Sequence, residues 1–152
     1  NFDRAADLAS RDALAKELLT PTRIYAQSLA PLIQGGKLKG LAHITGSGFL
    51  NVPRMSDKVS YDITLPPESE RPKIYKWVRQ ASGLSFEELS QTFNLGIGMV
   101  AVCDPKHVES TLRALKRKGE KEWRIGTVTR RAPRKPCEVA LHDGAQSVTL
   151  TY

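Results

Sequence analysis

Two short segments combine small polar side chains with glycines, a combination that suits the binding of an anionic ligand. They are His43-Ile44-Thr45-Gly46-Ser47-Gly48 and Thr92-Phe93-Asn94-Leu95-Gly96-Ile97-Gly98, each at the end of an apparent strand. Glycine lets a backbone approach a ligand closely, and successive N–H groups in a tight turn form a concave anion site. Together the two segments predict a site for one phosphate-bearing ligand.

His43 and Asn94 are the candidates for a catalytic role. The imidazole of His43 can bind a phosphate or move a proton near neutral pH, whereas a buried, hydrogen-bonded histidine is the commoner finding. Asn94 and Thr92 can contact an amide or a ribose of the ligand. The alternative is that these two side chains cap the short helix before them.

The candidates for binding substrate or phosphate follow His43. The glycine-rich turn supplies backbone N–H groups, and its hydroxyls supply further donors, although an ordinary strand-ending turn is the competing interpretation. Pro53 fixes the backbone between Asn51 and Arg54, whose planar guanidinium can bind two oxygens at once, unless Arg54 forms a structural salt bridge. The complete set is Thr45, Gly46, Ser47, Gly48, Asn51, Arg54 and Thr92.

The elements that must position these residues are short helices and strands in irregular alternation. The apolar patterns predict strands over residues 38–45, 59–65, 97–103, 123–128, 137–141 and 148–152. Helices are predicted over residues 20–34, 72–82, 85–92 and 105–118, with an irregular turn over 49–54 and a hairpin loop over 130–136. Without strict βαβ repetition, this order favours an α+β fold with a mixed or antiparallel sheet.

Composition predicts one soluble domain. The chain has 152 residues, 40% of them hydrophobic, and no apolar stretch approaches the length that spans a bilayer. We expect residues 1–17 to form a lead-in segment and residues 18–152 the domain. Because the chain starts at Asn1 without a signal segment, we expect a piece of a longer, cytoplasmic protein.

Charge and cysteine content limit the possible partners. Residues 105–135 hold 11 Lys or Arg against 3 Glu, which is typical of a solvated helix face and, less often, of a nucleic-acid site. Cys103 and Cys137 are too far apart for Cys-x-x-Cys spacing and have no histidine cluster beside them, so we expect no metal site.

Four blocks, in this order, resemble the C-terminal domain of phosphoribosylformylglycinamidine cyclo-ligase, also called aminoimidazole ribonucleotide synthetase. The blocks are Leu18–Tyr25, His43–Gly48, Asn51–Arg54 and Thr92–Gly98. Four blocks in a family's order are more specific than one Gly-x-Gly. The chain departs from the family pattern in two ways: Ser47 replaces a glycine, and the glutamate that usually precedes the Asn-Ile-Pro-Arg sequence is missing before Asn51.

The resemblance implies a three-layer α/β/α arrangement that is partly ferredoxin-like and forms one wall of an active-site cleft. Such enzymes use ATP and magnesium to close the imidazole ring of formylglycinamidine ribonucleotide. Much of the ATP site and the homodimer contact belong to a preceding N-terminal domain, so the isolated chain should be inactive. A regulatory or pseudo-enzyme member of the superfamily remains the alternative. The residues that the resemblance places at the cleft are His43, Thr45, Gly46, Gly48, Asn51, Arg54, Thr92 and Asn94.

Overall fold

Helices and strands alternate irregularly over residues 11–152, which are the residues that the computed structural model describes. Five α-helices are seen there: α1 Arg11–Leu18, α2 Ala26–Gln34, α3 Lys73–Ser82, α4 Phe86–Thr92 and α5 Val108–Arg117. Six strands accompany them: β1 Leu38–His43, β2 Val59–Thr64, β3 Met99–Cys103, β4 Gly126–Arg130, β5 Glu138–Asp143 and β6 Gln146–Thr151. Residues 1–10 of the predicted lead-in lie outside this range.

The strands form two sheets. β1 and β3 pair antiparallel, and the second sheet has the order β4-β2-β5-β6. In that sheet β2 and β5 are parallel, whereas β2 with β4 and β5 with β6 are antiparallel. The predicted α+β class with mixed and antiparallel sheets is therefore confirmed.

The connection between β4 and β5 differs from the predicted hairpin. A hairpin loop was predicted over residues 130–136, but β4 and β5 pair with opposite edges of β2. The connection therefore passes from one edge of β2 to the other. The hairpin lies one step later, where Asp143 pairs with Gln146 across a two-residue turn. Local composition marks a turn but does not specify which strands it joins.

The segment that follows the first glycine-rich turn is also more regular than predicted. Residues Gly48–Met55 form a 3₁₀ helix instead of an irregular turn. Its Phe49 and Val52 are fully buried. They pack with Val139 and Leu141 of β5 in the hydrophobic core. The turn is thus anchored to the centre of the molecule.

Two helices begin where local signals place them. Pro72 precedes α3, and Gly83 ends that helix in a left-handed conformation with φ +67°. The N-terminus of α4 has a complete capping box: Ser85 Oγ accepts from Glu88 N–H, and Ser85 N–H donates to the Glu88 carboxylate. In contrast, α2 begins only at Ala26, several residues after the predicted start. Arg23, which precedes the helix, forms an ion pair with Glu120.

Candidate functional site

The two glycine-rich segments meet at one end of the β1–β3 sheet. His43 pairs with Met99 across the two strands, and Ile44 N–H donates to Gly98 O at 2.9 Å. The segments are 50 residues apart in the sequence, yet this register places them side by side. The geometry supports the interpretation of the two as parts of one site.

Thr45 and Gly46 form the open part of the first segment. Both are exposed, and a Cβ on Gly46 would have no heavy atom within 4 Å. Ile44, between His43 and Thr45, is almost fully buried and anchors the end of the strand. A ligand can therefore approach the backbone at Gly46 without displacing a neighbouring element.

Gly48 lies at the closed end of the same turn. It has φ +51°, and a Cβ there would lie 2.0 Å from the carbonyl oxygen of Ser90 near the end of α4. Its N–H donates to Thr45 O at 2.8 Å, which leaves no free donor for a phosphate. The structure thus gives Gly48 a packing role, while Gly46 and Ser47 keep the predicted access.

The buried side chain of Asn51 stabilises the turn. It is 2% exposed, and its Nδ2 donates to Gly48 O at 2.8 Å and more weakly to Thr45 O. Its side chain is therefore occupied within the turn, whereas the sequence analysis placed it in the cleft. Arg54, three residues later, is exposed and has no ion pair within residues 11–152. Among these residues the salt-bridge alternative for Arg54 has no support.

Thr92 and Asn94 differ in what their side chains contact. The Thr92 hydroxyl donates to Glu88 O within α4, in agreement with the helix-bound alternative. Asn94 Oδ1 accepts from Gly96 N–H at 3.0 Å and from the hydroxyl of Tyr75 on α3. Asn94 therefore does not cap α4, which ends at Thr92 and has Phe93 as its C-cap residue.

A cavity of about 1020 Å³ lies beside the second segment. Asn94, Tyr75, Tyr25 and Gly98 are among its lining residues, and the opposite walls come from β2, β4 and α5. Residues 43–48, including His43, do not line it. The predicted site is thus divided: Asn94 faces the cavity, and the Thr45–Gly46 turn faces solvent.

Tyr25 connects the two parts. Its ring makes an edge contact with His43, with centroids 5.9 Å apart. A Cβ on Gly98 would lie 1.9 Å from its hydroxyl, so only glycine allows this approach. Burial raises the pKa of Tyr25, which keeps the phenol protonated near neutral pH. No signal in the sequence separates Tyr25 or Tyr75 from ordinary packing residues.

The basic segment is largely a solvated surface. Arg113, Lys116 and Arg117 are exposed on α5. The one tryptophan of this segment, Trp123, donates its indole N–H to Glu70 at 2.7 Å and lies under the Lys121 ammonium. A ring engaged in this way is not free to stack on a base. Within the described part of the chain, no three His, Cys, Asp or Glu residues are grouped to hold a metal, and no helix is long and apolar enough to cross a membrane.

Comparison with known proteins identifies the family of the chain. A family model described as AIR synthase related protein, C-terminal domain, matches residues 2–134. The chain belongs to this family. The matched residues include every candidate of both glycine-rich segments, while β5 and β6 follow the match.

Three relatives extend the comparison. The chain is 41% identical to the human trifunctional purine biosynthetic protein adenosine-3 over 135 residues, which cover 87% of the chain and 13% of that protein. It is 36% identical to the phosphoribosylformylglycinamidine cyclo-ligase of Nitrosospira multiformis, covering 84% of the chain and 36% of the enzyme. It is 41% identical to the Clostridium perfringens enzyme of the same name, covering 76% of the chain and 35% of that enzyme. The chain thus spans about a third or less of the length of these relatives.

Proposed function

We propose that this chain is the substrate-binding wall of an ATP-dependent cyclo-ligase, which converts formylglycinamidine ribonucleotide to aminoimidazole ribonucleotide. The observation that carries the proposal is the hydrogen bond from Ile44 N–H to Gly98 O, because it holds the two glycine-rich segments side by side. The names of the relatives support the reaction class. The domain is assigned to residues 18–152, and the parent is a cytoplasmic homodimer.

The open turn binds the phosphate of the substrate in this proposal. Backbone N–H groups at Gly46 and Ser47 and the hydroxyls of Thr45 and Ser47 supply donors, and Arg54 supplies a positive charge without a competing ion pair among the described residues. Asn51 and Gly48 hold the turn in shape. Charge neutralisation and positioning are the main contributions that a protein makes to phosphoryl transfer.

His43 and Asn94 act nearer to the reacting amide. The imidazole of His43 is exposed at the end of β1 and is assigned to proton transfer in this proposal. Asn94 presents an amide toward the cavity, and Thr92 stabilises the end of α4 that leads to it. ATP supplies the phosphoryl group that activates the formyl oxygen when it is bound. No three His, Cys, Asp or Glu residues are grouped among residues 11–152, and the proposal assigns magnesium and most ATP contacts to the N-terminal domain that the resemblance implies for the parent.

Two arginine variants test the assignment of the turn. In the full-length parent, Arg54→Ala is expected to raise the KM for formylglycinamidine ribonucleotide about tenfold, because a charged hydrogen bond to phosphate is lost. Arg113→Ala on the outer side of α5 is the matched control and should leave KM unchanged. An equal effect of both variants would favour a general electrostatic role, and RNA binding that Arg113→Ala weakens would favour the nucleic-acid interpretation.

A further inference from the structure

Tyr75 lies on α3 and reaches Asn94, 19 residues further along the chain. The Tyr75 hydroxyl and Gly96 N–H both donate to Asn94 Oδ1, the second at 3.0 Å. Because a backbone N–H can only donate, the atom that accepts it is the amide oxygen. Both lone pairs of Oδ1 then accept hydrogen bonds, and these two bonds determine the orientation of the Asn94 amide.

The NH₂ group of the Asn94 amide is available to a ligand. Within residues 11–152 no protein acceptor is seen for Asn94 Nδ2, and Asn94 and Tyr75 both line the cavity of about 1020 Å³. An amide NH₂ donates and does not accept. We propose that Tyr75 is a positioning residue, which turns the Asn94 NH₂ toward the cavity so that this point of the site selects a hydrogen-bond acceptor of the ligand.

The surroundings of Tyr75 make this arrangement rigid. Its ring is half-buried and packs against the hydrophobic core. Gly96, with φ +95°, lies so close to the start of α3 that a Cβ would meet Pro72 Cδ at 3.0 Å. The Asn94–Gly96 turn is thus held by the start of the same helix that carries the tyrosine. Burial raises the pKa of Tyr75, so its hydroxyl remains a donor over the working pH range.

A double-mutant cycle tests the positioning role in the full-length parent, and its kinetic part rests on the proposed function. Tyr75→Phe is expected to lower kcat/KM for formylglycinamidine ribonucleotide about 3- to 10-fold, the range of one hydrogen bond. In an Asn94→Ala background the same change should have almost no further effect. Equal losses in both backgrounds would overturn the proposal, because Tyr75 would then act without Asn94. Tyr61→Phe is the control, since its hydroxyl donates to Ser56 O and should not couple to Asn94.

The donor role of Nδ2 has its own test. Asn94→Asp keeps an oxygen for Tyr75 and Gly96 and replaces the NH₂ by a second oxygen. We expect Asn94→Asp to lose at least as much kcat/KM as Asn94→Ala, because an oxygen acceptor on the ligand would face a carboxylate. A wild-type value for Asn94→Asp would exclude a donor at this point.

A measurement without catalysis separates this inference from the proposed function. NMR relaxation of the Asn94 side-chain amide in the asparagine-labelled parent should show an ordered NH₂ in the wild type and a clearly more mobile one in Tyr75→Phe. If the parent released no ADP with substrate but the amide order still depended on Tyr75, the proposed function would fail and the positioning would stand. An amide that is equally mobile in both proteins would overturn the positioning.

Discussion

The two glycine-rich segments have similar compositions and are built in opposite ways. In the first, a buried side chain, Asn51, bonds to the backbone of the turn and leaves backbone groups exposed at Gly46. In the second, a backbone N–H and the Tyr75 hydroxyl donate to the side chain of Asn94, which lines a cavity. Our proposals therefore assign main-chain donors to the first segment and a side-chain donor to the second, so that each would recognise a different part of one ligand.

The largest expected effect distinguishes the two glycines of the first segment. Gly48→Ala should destabilise the protein by about 3 kcal/mol or more, because its Cβ would overlap Ser90 O at 2.0 Å and the backbone has φ +51°. Gly46→Ala is the matched control, with open space around the new Cβ, and should change stability by less than about 1 kcal/mol. Urea unfolding measures both. Similar losses for the two variants would contradict the division of the turn into a packed and an open end.

Variants of Asn51 and Arg54 should separate an effect on stability from an effect on substrate binding. Asn51→Ala is expected to cost about 2 kcal/mol, because the buried carbonyl oxygen of Gly48 loses the hydrogen bond from Asn51 Nδ2. Arg54→Ala should leave the free energy of unfolding within about 0.5 kcal/mol, since the side chain is exposed. Thermal and urea unfolding of the two variants check this. A neutral Asn51→Ala would show that the turn does not depend on this residue.

The close approach of Tyr25 to Gly98 predicts a smaller loss of stability, part of which a second substitution should recover. Gly98→Ala places a Cβ 1.9 Å from the Tyr25 hydroxyl, which is the far end of a side chain that can shift, so we expect a loss of about 1 kcal/mol. Tyr25→Phe in the same protein should recover part of that loss. Unfolding of the single and double variants measures the coupling. Additive losses would mean that the hydroxyl is not the obstacle.

The smallest effect concerns α4, which supports both segments. Hydrogen bonds from the Ser85 hydroxyl and backbone N–H lower the pKa of Glu88. A carboxyl with a lowered pKa stabilises the fold above its unfolded pKa of about 4.3 and loses this contribution as pH falls through the folded pKa. The stability difference between wild type and Glu88→Gln should therefore shrink in acid below about pH 4. A difference that stays constant from neutral pH into acid would remove this role for the carboxylate.

Local signals in the sequence predicted much of the fold. Alternating apolar residues predict a strand over residues 59–65, which is confirmed as β2, Val59–Thr64. The Ser85–Glu88 pair predicts the capped start of α4, which is also confirmed. The four-block resemblance predicted the family, which the match over residues 2–134 confirms. These features depend on residues that are close in sequence or on motifs in a fixed order.

The remaining features depend on contacts between distant residues. The order β4-β2-β5 is set by strand pairing across more than 60 residues, which no turn composition specifies. The burial of Asn51 results from the packing of Phe49 and Val52 into the core. Similarly, only the tertiary structure shows that Tyr75 contacts Asn94. The site residues therefore stay predictions, whereas their supporting contacts are now defined.

The most direct test of the account is ADP release by the full-length parent with formylglycinamidine ribonucleotide and magnesium, for wild type and a folded Asn94→Ala variant. We expect release that requires the substrate and falls at least about tenfold in the variant, a loss of about 1.4 kcal/mol of transition-state stabilisation. No substrate-dependent release from folded wild type would contradict the proposed enzyme and favour a regulatory or pseudo-enzyme role. Unchanged release from Asn94→Ala would contradict the placement of its amide in the site.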